Sequence, residues 1–132
     1  MRDLEHARGL LDMARKDLSA LCAMGDRQAF AEEIFGFHAQ QAAEKALKAW
    51  AAFLGLEYPF RHDLGELLNL LESRGQDVGR FWELVGYTDF GVRFRYEALE
   101  EDESPLERKS VCVQLESLVE HVDRLLGGQA EG

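Results

Sequence analysis

The sequence contains few cysteines and no long apolar run. Its two cysteines, Cys22 and Cys112, form no close-spaced pair and have no histidine at metal-ligating spacing, which excludes a disulfide framework and a cysteine zinc site. No segment approaches the roughly 18 uninterrupted apolar residues of a membrane span, and the N-terminus lacks a secretory stretch. We therefore expect a cytoplasmic protein that does not span a membrane. Both cysteines are expected to be small core residues that stay reduced.

Basic residues are outnumbered by acidic ones. The 132 residues include 15 Lys and Arg against 25 Asp and Glu, for a net charge of -10. This balance excludes a protein that coats nucleic acid or anionic membrane through charge alone. Residues 97–132 hold ten acidic and three basic side chains and carry -7, so residues 1–96 carry only -3. The first part of the chain can still present a local cationic surface.

Apolar residues recur at alternating steps of three and four, which indicates amphipathic helices. In the first predicted helix these residues are Leu4, Ala7, Leu11, Ala14, Leu18 and Leu21, and Gly25 ends it. The second helix is predicted from about residue 27 to residue 54, with a stripe at Phe35, Ala39, Ala42, Ala46, Trp50 and Phe53. No segment alternates with period two, so no sheet is predicted.

Capping signals place three more helices. Asp63 precedes a third helix whose apolar face is Leu64, Leu67, Leu68 and Leu71. Asp77 is expected to cap a fourth, with the inward residues Val78, Phe81, Trp82 and Val85. The last helix is predicted to start at Ser104-Pro105 and to end at Gly127-Gly128. The composition and these elements predict one domain over residues 1–132, an all-α, antiparallel up-and-down bundle of about five helices.

Three polar residues form a row on the second predicted helix. His38, Gln41 and Lys45 occupy positions i, i+3 and i+7, at the edge of the apolar stripe. Imidazole can transfer a proton, an amide can read a polar edge, and an ammonium can hold a phosphate. Alternatively, the row has only a structural role: His38 and Gln41 form hydrogen bonds with each other or with a helix end, and Lys45 pairs with a carboxylate.

Two further clusters contain basic residues. Arg61 and His62 precede the third helix, where backbone donors can bind an anion, although Asp63 is also expected to act as the cap and His62 could be a surface residue. Arg93, Phe94, Arg95 and Tyr96 could grip a phosphate and stack on a base. Alternatively, Phe94 is buried and the two arginines neutralise the acidic residues 97–103. The acidic residues 97–103 themselves form either a solvated segment or a surface for a basic partner.

The sequence lacks the motifs of several enzyme classes. It has no phosphate-binding glycine loop, no His-Glu-x-x-His, no Gly-x-Ser-x-Gly and no paired Glu-x-x-His. Neither a metal site nor a cofactor is expected.

Two motifs resemble those of the prokaryotic HEPN domain (higher eukaryotes and prokaryotes nucleotide-binding). They are residues 37–49, FHAQQAAEKALKA, and His62-Asp63-Leu64. The resemblance covers nearly the whole chain and implies a helical bundle, commonly a homodimer, often beside a small nucleotidyltransferase with which it forms a toxin-antitoxin pair. It also implies candidate ligand-binding residues at His38, Gln41, Lys45, His62 and Asp63, with Arg95 and Tyr96 resembling the Arg-Tyr that recurs late in this branch.

Several HEPN branches are metal-independent ribonucleases, whose catalytic pattern is an Arg and a later His with about four to six residues between them. This sequence lacks that pattern, because Arg2 is too close to His6 and Arg61 adjoins His62. The leading hypothesis is therefore a binding module for a nucleotidyltransferase and a nucleotide or RNA phosphate, in which Lys45 and Arg95 hold phosphate. An endoribonuclease is the enzymatic alternative, with His38 or His62 as the base and Arg93 or Arg95 as the cation. The third hypothesis is a structural dimer or adaptor without catalytic activity.

Overall fold

The computed structural model describes residues 3–26, 28–58, 63–88 and 107–131, with side chains through residue 127. Within these ranges the chain forms four α-helices and one 3₁₀-helix. They are α1 (Leu4–Cys22), α2 (Glu32–Phe53), α3 (Leu64–Ser73), the 3₁₀-helix η1 (Gly79–Tyr87) and α4 (Arg108–Glu131). No strand occurs in these ranges, which confirms the all-α prediction.

Helices α1 and α2 form the centre of the bundle. Their faces meet through small residues, among them Ala7 and Ala14 of α1 and Ala39, Ala42 and Ala46 of α2, all fully buried. The Asp3 amide donates to the carbonyl of Ala52, so the start of α1 lies beside the end of α2 and the two helices are antiparallel. Short side chains let the two backbones approach closely, which brings polar groups at the edges of this interface within reach of each other.

The predicted second helix starts too early. The structure begins α2 at Glu32, because the Asp26 carboxylate accepts from the Gln28 amide at 2.9 Å and from the Ala29 amide at 3.4 Å. This local turn competes with helix formation in the preceding residues. The whole predicted stripe of α2, from Phe35 to Phe53, is buried as expected.

The predicted fourth helix is a 3₁₀-helix and not an α-helix. Val78, Phe81, Leu84 and Tyr87 are buried, and their spacing of three matches the three residues per turn of a 3₁₀-helix. Trp82 and Val85, which the α-helical reading placed inside, are only half-buried. Val78 is the N-cap, and no side chain caps η1, so the expectation of an Asp77 cap is wrong.

Helix α4 lies antiparallel to α1. The Arg108 guanidinium, at the start of α4, donates to the carbonyls of Met24 at 2.6 Å and Phe30 at 2.7 Å. Further along, Arg15 pairs with Asp123 at 2.8 Å. The predicted stop at Gly127 is wrong, since α4 continues to Glu131; glycine weakens a helix without obstructing it. The Ser104 cap lies outside the described residues.

The cysteines differ from the sequence-based expectation. Cys112 of α4 is half-buried, but Cys22 at the end of α1 is exposed and is not a core residue. Its Sγ lies 3.9 Å from Glu116 Oε1. The prediction failed because Cys22 follows Leu21, the last buried position of α1, and therefore points away from the apolar stripe.

Candidate functional site

Two residues of the predicted polar row meet around a carboxylate from α1. Lys45 Nζ lies 2.6 Å from Asp17 Oδ2, and His38 Nδ1 lies 3.7 Å from Asp17 Oδ1. We call Asp17, His38 and Lys45 the Asp17 cluster. Their side chains are 18%, 32% and 20% exposed, respectively, so the cluster is half-buried and open to solvent on one side.

The fold explains why these three groups converge. His38 and Lys45 are seven residues apart, about two turns of α2, and therefore lie on one face. Asp17 lies at the edge of the α1 stripe, between the buried residues Ala14 and Leu21. Close packing of α1 on α2 then sets the Asp17 carboxylate between the two basic side chains.

Gln41, the third residue of the predicted row, is hydrogen-bonded to its neighbour on α2. Its Nε2 donates to Gln40 Oε1 at 2.8 Å, and Gln40 Nε2 donates to Glu44 Oε1 at 2.9 Å. Lys48 Nζ contacts Glu44 Oε2 at 3.2 Å. Gln40 and Glu44 are buried, so Gln41 is hydrogen-bonded to a second polar network that extends into the bundle.

Asp63 caps α3. Its Oδ1 accepts from the amides of Gly65 at 2.9 Å and Glu66 at 3.3 Å, which satisfies two of the backbone donors at the start of the helix. The carboxylate therefore has the helix-capping role that the sequence also predicted for it. The remaining predicted site residues lie outside the described residues: Arg61, His62, Arg93, Phe94, Arg95 and Tyr96.

The cluster retains capacity for hydrogen bonding. An ammonium has three N–H donors, and Asp17 accepts one of those of Lys45. His38 Nδ1 is buried and has no hydrogen-bond partner, because its 3.7 Å distance from Asp17 exceeds hydrogen-bonding range. An imidazole beside a carboxylate and an ammonium can donate to an anion or exchange a proton.

Sequence reasoning missed Asp17, Gln40 and Glu44. Asp17 is 28 residues from Lys45 in the chain, and no local spacing connects them. A weak signal was available, since Asp17 is a charged residue that directly flanks Leu18 in the apolar stripe of α1. Gln40 and Glu44 have helical i, i+4 spacing, but their burial depends on packing from outside α2.

A ring cluster surrounds His121 on α4. Its imidazole centroid lies 4.8 Å from that of Trp50 and 5.6 Å from that of Phe81, and Arg80 contacts its Nδ1 at 3.0 Å. Burial, together with the charges of Arg80 and Arg124, lowers the pKa of His121, which Asp77 partly offsets. The neutral imidazole is therefore favoured, and in that form Nδ1 accepts from the Arg80 guanidinium.

Comparisons with known proteins identify the domain. A family model described as the HEPN domain matches residues 2–125, nearly the whole chain. No curated protein and no solved structure matches. Among the helices in the described ranges, none has both the length and the apolar character required to cross a membrane.

Proposed function

Because the chain belongs to the HEPN family, we propose that it is a binding module for a phosphate group of a nucleotide or RNA. The observation that carries this proposal is the Asp17 cluster, in which Asp17 holds Lys45 in place and His38 stands beside it. A fixed ammonium loses less side-chain entropy when it binds a ligand than a freely moving one does. The remaining Lys45 donors and the His38 imidazole would contact the phosphate oxygens.

The other predicted binding residues complete this proposal. Arg95 would supply a second cation for phosphate, with Arg93 and His62 as further donors, and Tyr96 would stack on a base. Arginine and tyrosine suit these roles because a guanidinium donates in a fixed fork and a phenol ring presents a flat apolar face.

The proposal includes macromolecular partners. We propose that the protein acts as a cytoplasmic homodimer beside a small nucleotidyltransferase, in a toxin-antitoxin-like pair. The support is the resemblance of residues 37–49 and 62–64 to the HEPN motifs. Co-expression with a nucleotidyltransferase from an adjoining gene should yield a complex that co-purifies, and absence of such a complex would contradict the partner assignment.

Calorimetric titration with nucleotides and short RNAs tests the phosphate site. We expect wild-type protein to bind, and Lys45→Ala to weaken binding at least about tenfold, about 1.4 kcal/mol. Lys16→Ala is the matched control, since Lys16 is an exposed lysine next to Asp17 in sequence and its loss changes the net charge equally. Absence of binding, or an equal loss in both variants, contradicts the proposed site.

One observation favours a second candidate, a metal-independent endoribonuclease. Asp17 Oδ1 lies 3.7 Å from His38 Nδ1, and shortening of this distance to a hydrogen bond when RNA binds would let the carboxylate orient the imidazole as a general base. RNA should then be cleaved in the presence of a chelator by wild-type protein and not by His38→Ala, with His62→Ala tested in parallel. If cleavage is absent, or is unaffected by both substitutions, this candidate is wrong.

A further inference from the structure

We propose that two copies of this chain associate through the outer face of α4, centred on Val113. This inference rests on the homodimer of the proposed function and adds the surface that forms it. Val113 is 60% exposed, and only it and Met13 are exposed large hydrophobic residues in the described ranges. A single exposed valine is common on protein surfaces; what distinguishes Val113, in the second turn of α4, is its position beside two grooves and between two opposite charges.

Val113 forms a ridge between two grooves. On one side, Phe81, Leu84 and Ser117 help to line a groove of about 250 Å³ between η1 and α4. On the other side, Leu21, Met24 and Cys112 help to line a groove of about 310 Å³ between the end of α1 and α4. Val113 borders both grooves. A ridge flanked by grooves can receive the same ridge from a second molecule, as in ridges-into-grooves packing of helices.

Charges on this face make it complementary to itself. Lys109 and Glu116 are both exposed, and they lie four residues before and three residues after Val113, on the same side of α4. A two-fold axis near Val113 would pair α4 with its copy in antiparallel orientation. Lys109 would then face the partner's Glu116, and Glu116 would face the partner's Lys109.

This pattern favours a second copy over another occupant. A two-fold interface uses the same patch on both molecules, so it needs balanced charges placed on opposite sides of the axis. Lys109 and Glu116 meet this requirement, with an apolar residue between them. An all-basic or all-acidic partner would instead be repelled by one of the two, and unlike charges at the contact offset the repulsion between two chains of net charge -10.

Sedimentation velocity over a range of protein concentrations tests the interface. We expect a wild-type dimer, with a dissociation constant raised at least about tenfold in Val113→Asp and in Lys109→Glu. The double variant Lys109→Glu/Glu116→Lys should restore the dimer, because it reverses both charges of each pair. Met13→Asp is the control, since it places the same charge at the other exposed hydrophobic residue, on α1, and it should remain dimeric.

The outcomes separate this inference from the proposal on which it rests. A wild-type protein that stays monomeric at every concentration overturns both the homodimer and its interface. A wild-type dimer that persists in Val113→Asp and Lys109→Glu overturns only the interface. Lys109→Glu that dissociates without rescue by the double variant overturns the Lys109–Glu116 pairing. If Val113→Asp unfolds, the two charge variants still test the interface, because their substitutions lie at exposed positions.

Discussion

Lys45 of α2 donates a hydrogen bond of 2.6 Å to Asp17 of α1. Both side chains are about one-fifth exposed, so water screens this pair less than an ion pair on the surface. The contact ties the two central helices together and also fixes the ammonium that we assign to phosphate binding. Its contribution to folding and its contribution to binding can therefore be separated by experiment.

We predict a measurable coupling between Asp17 and Lys45. Removing either partner leaves a half-buried group without its hydrogen bond, which should lower the free energy of unfolding by about 1–2 kcal/mol. A double-mutant cycle with Asp17→Ala and Lys45→Ala, followed by urea unfolding, measures the coupling.

The control is the more exposed pair Arg15–Asp123, whose side chains are 46% and 55% exposed. Its coupling should lie at the low end of the range of about 0–1 kcal/mol for surface pairs. A coupling in the Asp17–Lys45 pair no larger than in this control would contradict a structural role for the contact.

The Asp63 cap should affect folding rather than binding. We predict that Asp63→Ala lowers the free energy of unfolding by about 1 kcal/mol, because the amides of Gly65 and Glu66 lose their acceptor. Asp63→Ser should retain most of this stability, since serine is also a good cap. Chemical unfolding measures both variants, and a loss of nucleotide affinity in the stable Asp63→Ser would instead place Asp63 in the site.

Arg108 should be one of the most sensitive positions for stability. Its guanidinium is buried and binds two carbonyls from the segment between α1 and α2. Arg108→Met leaves both carbonyls unsatisfied, and we expect unfolding to become easier by about 2–4 kcal/mol.

Lysine should not replace Arg108 fully, because its single ammonium lacks the two-pronged geometry of the guanidinium. The neighbouring exposed Lys109 provides the control, and Lys109→Ala should leave the free energy of unfolding nearly unchanged. Full stability of Arg108→Lys in a thermal or chemical melt would show that the paired hydrogen bonds are not what stabilises this segment.

His121 should make stability depend on pH. Its folded pKa is lower than the ordinary 6.5, so the unfolded chain takes up a proton first as the pH falls. The contribution of neutral His121 is fully present above pH 6.5 and is lost as the pH falls from there toward the lower folded pKa.

His121→Gln tests this dependence while keeping an acceptor for Arg80. Carboxylates also titrate at low pH, so the quantity to compare is the difference in free energy of unfolding between wild type and variant at each pH. This difference should change below pH 6.5 and stay constant above it. A constant difference across the whole range would mean that the His121 pKa is not lowered by folding.

The sequence predicted those parts of the fold that depend on local pattern. The Asp63 cap and the leucine face of α3 follow from residues within a few positions of each other, and both occur in the structure. The prediction of an α-helical face at η1 is wrong, although the spacing of three in this segment already indicates a 3₁₀-helix. The residues with this spacing are Val78, Phe81, Leu84 and Tyr87.

The candidate site was predicted only in part, because its geometry is tertiary. His38 and Lys45 share a helix face, which the sequence indicates, but Asp17 reaches them only when α1 packs on α2. Gln41 fits the same helical row by spacing, yet it donates to Gln40 instead. Helical spacing determines which side chains share a face, and the packing of neighbouring helices determines which of them meet.

NMR of the histidine imidazoles during titration with a short phosphorylated RNA can show whether the Asp17 cluster binds phosphate. The chain has four histidines, which can be assigned by substituting each one. We predict that the His38 resonances shift in a saturable manner, and that Lys45→Ala reduces this shift strongly while Lys16→Ala does not. RNA binding that leaves the His38 resonances unchanged, or no binding at all, would contradict it.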